Sequence, residues 1–359
     1  MESHRTENID VRYNNCMQNF KKYIIPCCIF FLVIVVLYLG NSIRGERVHT
    51  TDVPQNSAIA SLREIWSKRI EEIGTRNAYA EFKEQTFPLD FGLQHLRAHM
   101  MGELLYEKEG IAGLAVCDAS FAFGCYHSFF GRALSEHGDS VISELDAACV
   151  KQYGPLGTGC QHGIGHGIVE YTGGVDIRAA LKLCVRTTQL RPYFGCTSGV
   201  FMEYNTPTIV AAASSRNSIR DLNTEDPYEP CDTTVPKEFR ESCYYELASW
   251  WHSVLHGDFE KMGSLCVQIT AGREREACLL GIGTIAAPLL SYDVTKTIAV
   301  CENMPDKNAQ IFCRAGASWS FFAEPSMRSH TNELCSLEKK KDEQYCLLKS
   351  DLIGNREKF

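Results

Sequence analysis

Beyond residue 90 two kinds of segment alternate along the chain. Short amphipathic stretches, VISELDAAC, IRAALKLC, FEKMGSLC, VTKTIAVC and TNELC, each end on a cysteine. Longer, more apolar ones, CYHSFFGRAL, CQHGIGHGIVEY, CTSGVFMEY, CYYELASWW, CLLGIGTIAAPLL and CRAGASWSFFA, each begin on one. The links between them are polar and turn-prone. The pattern predicts a helix A, a turn and a helix B in every unit, with one cysteine ending A and the other opening B. The first cysteines of successive units lie 32, 35, 47, 35, 35 and 34 residues apart, and a period near 35 is the mark of helix–turn–helix repeats. The expected class is all-α: tandem α-α hairpins forming a solenoid or toroid over residues 90–359.

Upstream the pattern changes twice. In SAIASLREIWSKRIEEIG, residues 57–74, Ile59, Leu62, Trp66, Ile70 and Ile73 share one helical face. Two heptads are short for a coiled coil, so this helix is expected to dock on the first repeat. With the polar residues before it, it makes up a stalk and amphipathic helix spanning 44–89. From Tyr23 to Ile43 no residue carries a charge, and about 20 such residues suffice to cross a bilayer. Lys21 and Lys22 precede the run, and Arg44 and Arg47 follow it. The modest bias puts the N-terminus inside. The exit LYLGNS is a poor cleavage site, which favours a signal anchor over a cleaved signal peptide. The expectation is a cytoplasmic tail over 1–22, a transmembrane anchor over 23–43, and the rest in an extracellular, periplasmic or lumenal space. No N-x-S/T sequon occurs.

That compartment gives the cysteines their meaning. Of 17, Cys16, Cys27 and Cys28 belong to the tail and anchor. The other 14 fall into successive pairs: Cys117 with Cys125, Cys149 with Cys160, Cys184 with Cys196, Cys231 with Cys243, Cys266 with Cys278, Cys301 with Cys313, and Cys335 with Cys346. The separations within pairs are 8, 11, 12, 12, 12, 12 and 11. Zinc motifs favour two to four intervening residues, a spacing absent here, whereas regular pairs in an exported chain read as disulfides. Each would staple helix A to helix B. Gly131, Gly165, Gly199, Gly281 and Gly316 lie early in the B segments, where glycine costs helix propensity. Close approach of a neighbouring helix is the expected reason.

The unit LAVCDASFAFGCYHSFFGRALSEHG, with one cysteine ending helix A and a second opening helix B before a small residue, resembles disulfide-stapled Sel1-like repeats, relatives of the tetratricopeptide repeats. The likeness covers roughly residues 90–350. It implies a binding module for proteins or peptides. Residues 205–230 account for the 47-residue step as an insertion of about 12 residues with no chemical motif. The charged CSLEKKKDEQYC suits a polar cap on the last repeat.

Eleven histidines are distributed unevenly. His4, His49 and His330 carry no expected role. His137 and His256 each precede a glycine at the end of a B segment and suit the helix C-terminus. Gly257 should end the helix after His256, which breaks the series His252, His256, Glu260. His127 and His162 both lie two residues after the second cysteine of their units, and His99 takes the same place in a cysteine-free first unit if Arg97 stands where the cysteine would be. His162, His166 and Glu170 share a helical face, and His95, His99 and Glu103 repeat that spacing, with His95 expected at or before the start of its helix. Paired imidazoles one turn apart supply two metal ligands from one helix. His99, His127, His162 and His166 are therefore the candidate ligands for one Zn, Cu or Fe ion, with His99 in reach only if the array curls tightly. The alternative for each imidazole is a hydrogen bond to backbone between repeats. Glu170, Glu203 and Tyr171 are the candidate catalytic residues.

Net charge is −8 with no basic patch among aromatics, which argues against nucleic acid as a partner. No G-x-S-x-G, H-E-x-x-H, P-loop or C-x-x-C-H motif is present. Two readings follow. The first is a membrane-anchored repeat protein, with a histidine metal site, that binds a protein, peptide or glycan. The second is a metal-dependent hydrolase or oxidase using the cluster of His127, His162 and His166. Histidines pointing inward around a shared pocket would favour the second.

Overall fold

The computed structural model describes residues 53–154, 158–174, 176–188, 193, 195–205, 222–232 and 234–354. The predicted anchor over 23–43, the tail before it and most of the 205–230 insertion lie outside them. Among the described residues no helix is long and apolar enough to cross a membrane, and every regular element is helical. Residues 54–359 make one compact unit.

Helices α1 (Val53–Ile73) and α2 (Thr75–Thr86) lead into α3 (Phe91–Glu109). Seven stapled hairpins follow. The B helices are α4 (Gly124–His137), α6 (Thr158–Thr172), α8 (Cys196–Asn205), α9 (Arg240–Val254), α11 (Gly272–Leu289), α13 (Lys307–Ala323) and α15 (Lys340–Gly354). The described A helices among them are α5 (Ile142–Tyr153), α7 (Ile177–Cys184), α10 (Phe259–Gln268), α12 (Val294–Glu302) and the short α14 (Thr331–Leu334). In the first hairpin a 3-10 stretch, Gly110–Val116, takes the place of helix A. Asp176, Asp258, Asp293 and Asp306 open α7, α10, α12 and α13 by accepting backbone N–H groups with their side chains, as helix N-termini require.

All seven expected cysteine pairs are joined. Cys117 bonds Cys125, Cys149 bonds Cys160, Cys184 bonds Cys196 and Cys231 bonds Cys243. Cys266 bonds Cys278, Cys301 bonds Cys313 and Cys335 bonds Cys346. The Cα–Cα distances are 5.3–5.7 Å. The place of the second cysteine needs correcting. Cys125, Cys160 and Cys196 lie at or near the start of their B helices, as the pattern implied. Cys243, Cys278, Cys313 and Cys346 instead lie further inside α9, α11, α13 and α15. The segments before these cysteines, such as GREREA and KKDEQY, read as polar turns but hold good helix formers, so the helix begins earlier. In α13 the Asp306 cap fixes that earlier start.

Every disulfide is internal to its hairpin, so it fixes each unit but not the stacking of units. Stacking comes from the B helices, which pack in the order α3, α4, α6, α8, α9, α11, α13, α15. Glycine sets their separation. A Cβ on Gly165 would overlap the Cys196 carbonyl oxygen, and one on Gly199 the His162 carbonyl oxygen, so α6 and α8 meet backbone to backbone. Gly131 differs: a Cβ there would overlap the Glu170 carboxylate instead of a helix backbone.

The leading helix docks as its stripe predicts. Trp66 and Ile70 are buried, Ile59, Leu62 and Ile73 pack against the same core, and Arg63 pairs with Glu103 at 3.0 Å. At the other end α15 leaves Leu348 and Leu352 more than half exposed, so the last repeat presents an apolar stripe as well as its charges. The array curls so far that α3, α6, α8, α9, α11 and α13 all wall one cavity of about 250 Å3. Glu324, just past α13, lines it together with Ala122 and Phe123 of the first hairpin, so the two ends of the array meet around it.

Candidate functional site

Five imidazoles cluster beside that cavity, and two of them, His95 and His162, line it. His95 and His99 lie one turn apart on α3, His127 is on α4, and His162 and His166 lie one turn apart on α6. Asp90 caps α3 by accepting from the Leu93 amide at 3.0 Å, which places His95 inside the helix rather than before it. His99 Nε2 is 3.0 Å from His95 Nε2 and 3.2 Å from His127 Nδ1. His166 Nε2 is 3.0 Å from His162 Nε2. His127 connects the groups: its ring stacks on His166 with centroids 3.9 Å apart and planes at 19°. His99 thus reaches His127 across the neighbouring helices α3 and α4, but it joins a triad with His95 and not one with His162 and His166, so the four expected ligands do not gather around one ion.

Two partners fix the outer nitrogens. His95 Nδ1 is 2.8 Å from the Phe121 carbonyl oxygen. A carbonyl only accepts, so Nδ1 carries the proton and Nε2 presents its lone pair. His166 Nδ1 likewise donates to Glu203 Oε2 at 2.8 Å, with both side chains fully buried. Carboxylate or carbonyl partners of this kind orient and polarise histidine ligands. The Phe121 carbonyl is held by unusual backbone. Phe121, Ala122 and Phe123 have φ of 59°, 50° and 64°, a left-handed run that costs non-glycine residues of order 1–3 kcal/mol each. The eight-residue separation of Cys117 and Cys125, the shortest of the seven, encloses it. Asp118, bound by Lys83 Nζ at 2.6 Å and Tyr79 Oη at 3.0 Å, anchors its start.

Burial above all, with the neighbouring imidazoles adding to it, holds His99, His127 and His162 well below the usual histidine range. Burial also lowers His95 to about 4, against the raising effect of its Phe121 bond. These four are neutral at pH 7 and keep the lone pairs a metal requires. The triad of His95, His99 and His127 and the triad of His127, His162 and His166 each bring three nitrogens within 4.8 Å of one another and could hold a metal ion.

The three acidic and phenolic candidates separate. Glu203 is buried against His166. Glu170 lies in the space left by Gly131, with Oε2 buried and without a hydrogen-bond partner. Burial, then the Glu203 and Glu103 carboxylates, push it up to about 7. Tyr171, 46% exposed, turns away from the cluster with its hydroxyl near Gly138. His95, which completes the first triad, repeats on α3 the H-x3-H spacing of His162 and His166 on α6. His252 lines the cavity away from the cluster, and α9 ends at Val254, before His256.

His95 and His162 line the cavity directly. Phe123, Ile285 and Leu289 make much of the remaining wall apolar, and Tyr245, Glu246 and Ser249 add polar groups at a distance from the imidazoles in sequence and on a separate helix, α9. Ser198 Oγ donates to Glu246 Oε1, yet burial pushes Glu246 up to about 8. A carboxyl raised this way favours the fold while it stays protonated. Its contribution is full below about 4.5 and is lost as the pH rises through 8. Glu246→Gln is therefore expected to stabilise the chain above pH 8 by a few kcal/mol and to change little below pH 5. Denaturant unfolding of both proteins across pH 5–9 measures it, and equal pH dependence would refute the assignment.

Comparison with known protein families, with curated proteins and with solved structures finds no match to this chain.

Proposed function

We propose that the chain is a metal-dependent enzyme whose centre is built on His95, His99, His127, His162 and His166, and whose substrate is a small, largely apolar molecule held in the ring's cavity. One observation carries the reading. The imidazoles converge on one another beside a shared cavity, which His95 and His162 line, instead of being scattered singly through helix contacts. Reading the repeats as a module for a protein, peptide or glycan requires an open concave face. Here that face is curled around about 250 Å3, small for any folded partner and within reach of a small ligand.

Imidazole donors suit Zn, Cu and Fe, and an ion so held supplies a Lewis acid or an activated water. The protein's part is clearer in its own residues. Phe121 and Glu203 fix the imidazole orientations, the glycine-spaced helices exclude bulk water, and the Glu170 carboxyl, ionising near neutrality, is suited to hold or release a proton at the edge of the cluster. The membrane anchor at 23–43 and an oxidising compartment for the ring belong to the same proposal, and the seven disulfides are consistent with such a compartment.

The test is the metal content of the purified full-length chain, disulfides intact, after incubation with Zn2+ or Cu2+ and dialysis. Stoichiometric metal, lost on His127→Ala with the helical circular-dichroism spectrum retained, is the expected result. A folded wild-type chain that retains no metal would overturn the reading.

A further inference from the structure

We propose that the five-histidine cluster is a two-ion centre in which His127 is shared, one ion on each of its ring nitrogens. The inference rests on the metal-centre reading above and adds its stoichiometry and layout.

The cluster is arranged as two equivalent halves. On α3 the pattern is His95, His99, Glu103, and on α6 it is His162, His166, Glu170, each with four-residue spacing. In each half the paired Nε2 atoms are 3.0 Å apart. Two nitrogens on one tetrahedral ion at about 2.05 Å are roughly 3.3 Å apart, so each pair needs to open by only a few tenths of an ångström. Helix α4 packs against both α3 and α6, and His127 is its one histidine within the cluster. Both three-residue groups that could hold an ion include it.

One ring can serve both because it offers two nitrogens. His127 Nδ1 faces His99 Nε2 at 3.2 Å. His127 Nε2 is buried with no hydrogen-bond partner, on a side chain that is itself 0% exposed. A buried polar atom without a partner is costly, and a ligand position explains it. On loading, the ring proton leaves to solvent so that each nitrogen presents a lone pair. The first half is already open, with His95, His99 and His127 rings at 62–74° to one another. The second half requires the stack of His127 on His166 to tilt apart. Buried positive charge from two ions calls for nearby carboxylates, and Glu203 on His166 and the unpaired oxygen of Glu170 supply them.

Elemental analysis of the Zn-loaded full-length chain is expected to give two ions per wild-type chain. His95→Ala/His99→Ala and His162→Ala/His166→Ala should each retain one, and His127→Ala none. One ion per wild-type chain, abolished by either double variant or unaffected by one of them, overturns the shared centre and leaves the metal-enzyme reading standing. No ion in the wild type overturns both. A second measurement needs no variant. Cu2+ is titrated into the metal-free wild-type chain and followed by electron paramagnetic resonance. The first equivalent should raise the signal, and the second should lower it as two spins couple through the shared imidazole. A signal rising in proportion through two equivalents would also overturn the proposal.

Discussion

Full reduction of the seven disulfides is expected to unfold the ring under conditions where the oxidised chain is native. Each bond closes a loop of 8–12 residues, worth about 2.5–3 kcal/mol by chain entropy. Together they exceed the roughly 5–15 kcal/mol that holds a domain folded. The bonds also act where the hairpins are weakest. Helix α7 has eight residues and α14 four, below the length at which an isolated helix persists in water. Without the staple, such a helix A has only its buried face to hold it. A single removal, Cys184→Ala with Cys196→Ala, is expected to cost about 3 kcal/mol and leave the ring folded. Chemical denaturation of oxidised, singly altered, and reduced and alkylated chains distinguishes these states. If the reduced chain unfolds at the oxidised midpoint with the same cooperativity, the stacked B helices alone support the fold and the staples are incidental.

The hairpins were legible in the sequence because their signals are local. Cysteine spacing, amphipathic A segments and apolar B segments each repeat within about 35 residues, and the pairing of cysteines follows from those units. Helix starts were less legible: Cys278, Cys313 and Cys346 begin the apolar part of their B segments, while the helix itself starts in the charged residues before them. The curl stayed open in the sequence, which allowed a solenoid or a toroid. It depends on how closely successive B helices approach, and that is set by contacts such as Gly165 on Cys196 and Gly199 on His162, between residues more than 30 positions apart. His99 was expected beside His162 and His166 only under a tight curl; it meets His127 across adjacent helices instead, in a triad with His95. His95 had its signal in the H-x3-H spacing, but whether it lay inside a helix turned on the Asp90 cap. Glu203 was visible only as an acidic residue in a B segment; its bond to His166 spans 37 residues. Tyr171 follows Glu170 in sequence, yet one helical step of about 100° turns it outward. The Phe121–Phe123 turn had no sequence signature, since none of its residues favours left-handed backbone.

Kept free of metal by a chelator, the chain is expected to lose stability steeply as the pH falls from about 6.5 to 4. An imidazole in the unfolded chain ionises near 6.5, whereas burial lowers His95 to about 4 and His99, His127 and His162 well below their usual range. The unfolded chain therefore takes up protons first, and stability rises with pH across this window. The contribution is full above about 6.5, and for His95 alone the loss by pH 4 is on the order of 3 kcal/mol. Glu170 and Glu246 work in the opposite direction, raised to about 7 and about 8, so their contribution is full below about 4.5 and falls away as the pH rises to those values. Four lowered imidazoles against two raised carboxyls leave the acid side the weaker. The metal-free chain should be most stable between about pH 6 and 7, where the gain from the imidazoles is complete and, above it, only the loss from the carboxyls continues. His99→Gln/His127→Gln removes two of the titrating rings. It should flatten the decline between pH 6.5 and 4 relative to wild type, whatever its effect at pH 7. Unfolding midpoints of both chelated proteins across pH 4–8 measure the slope directly. Parallel profiles would show that acid acts elsewhere and that these imidazoles are not held neutral in the folded ring.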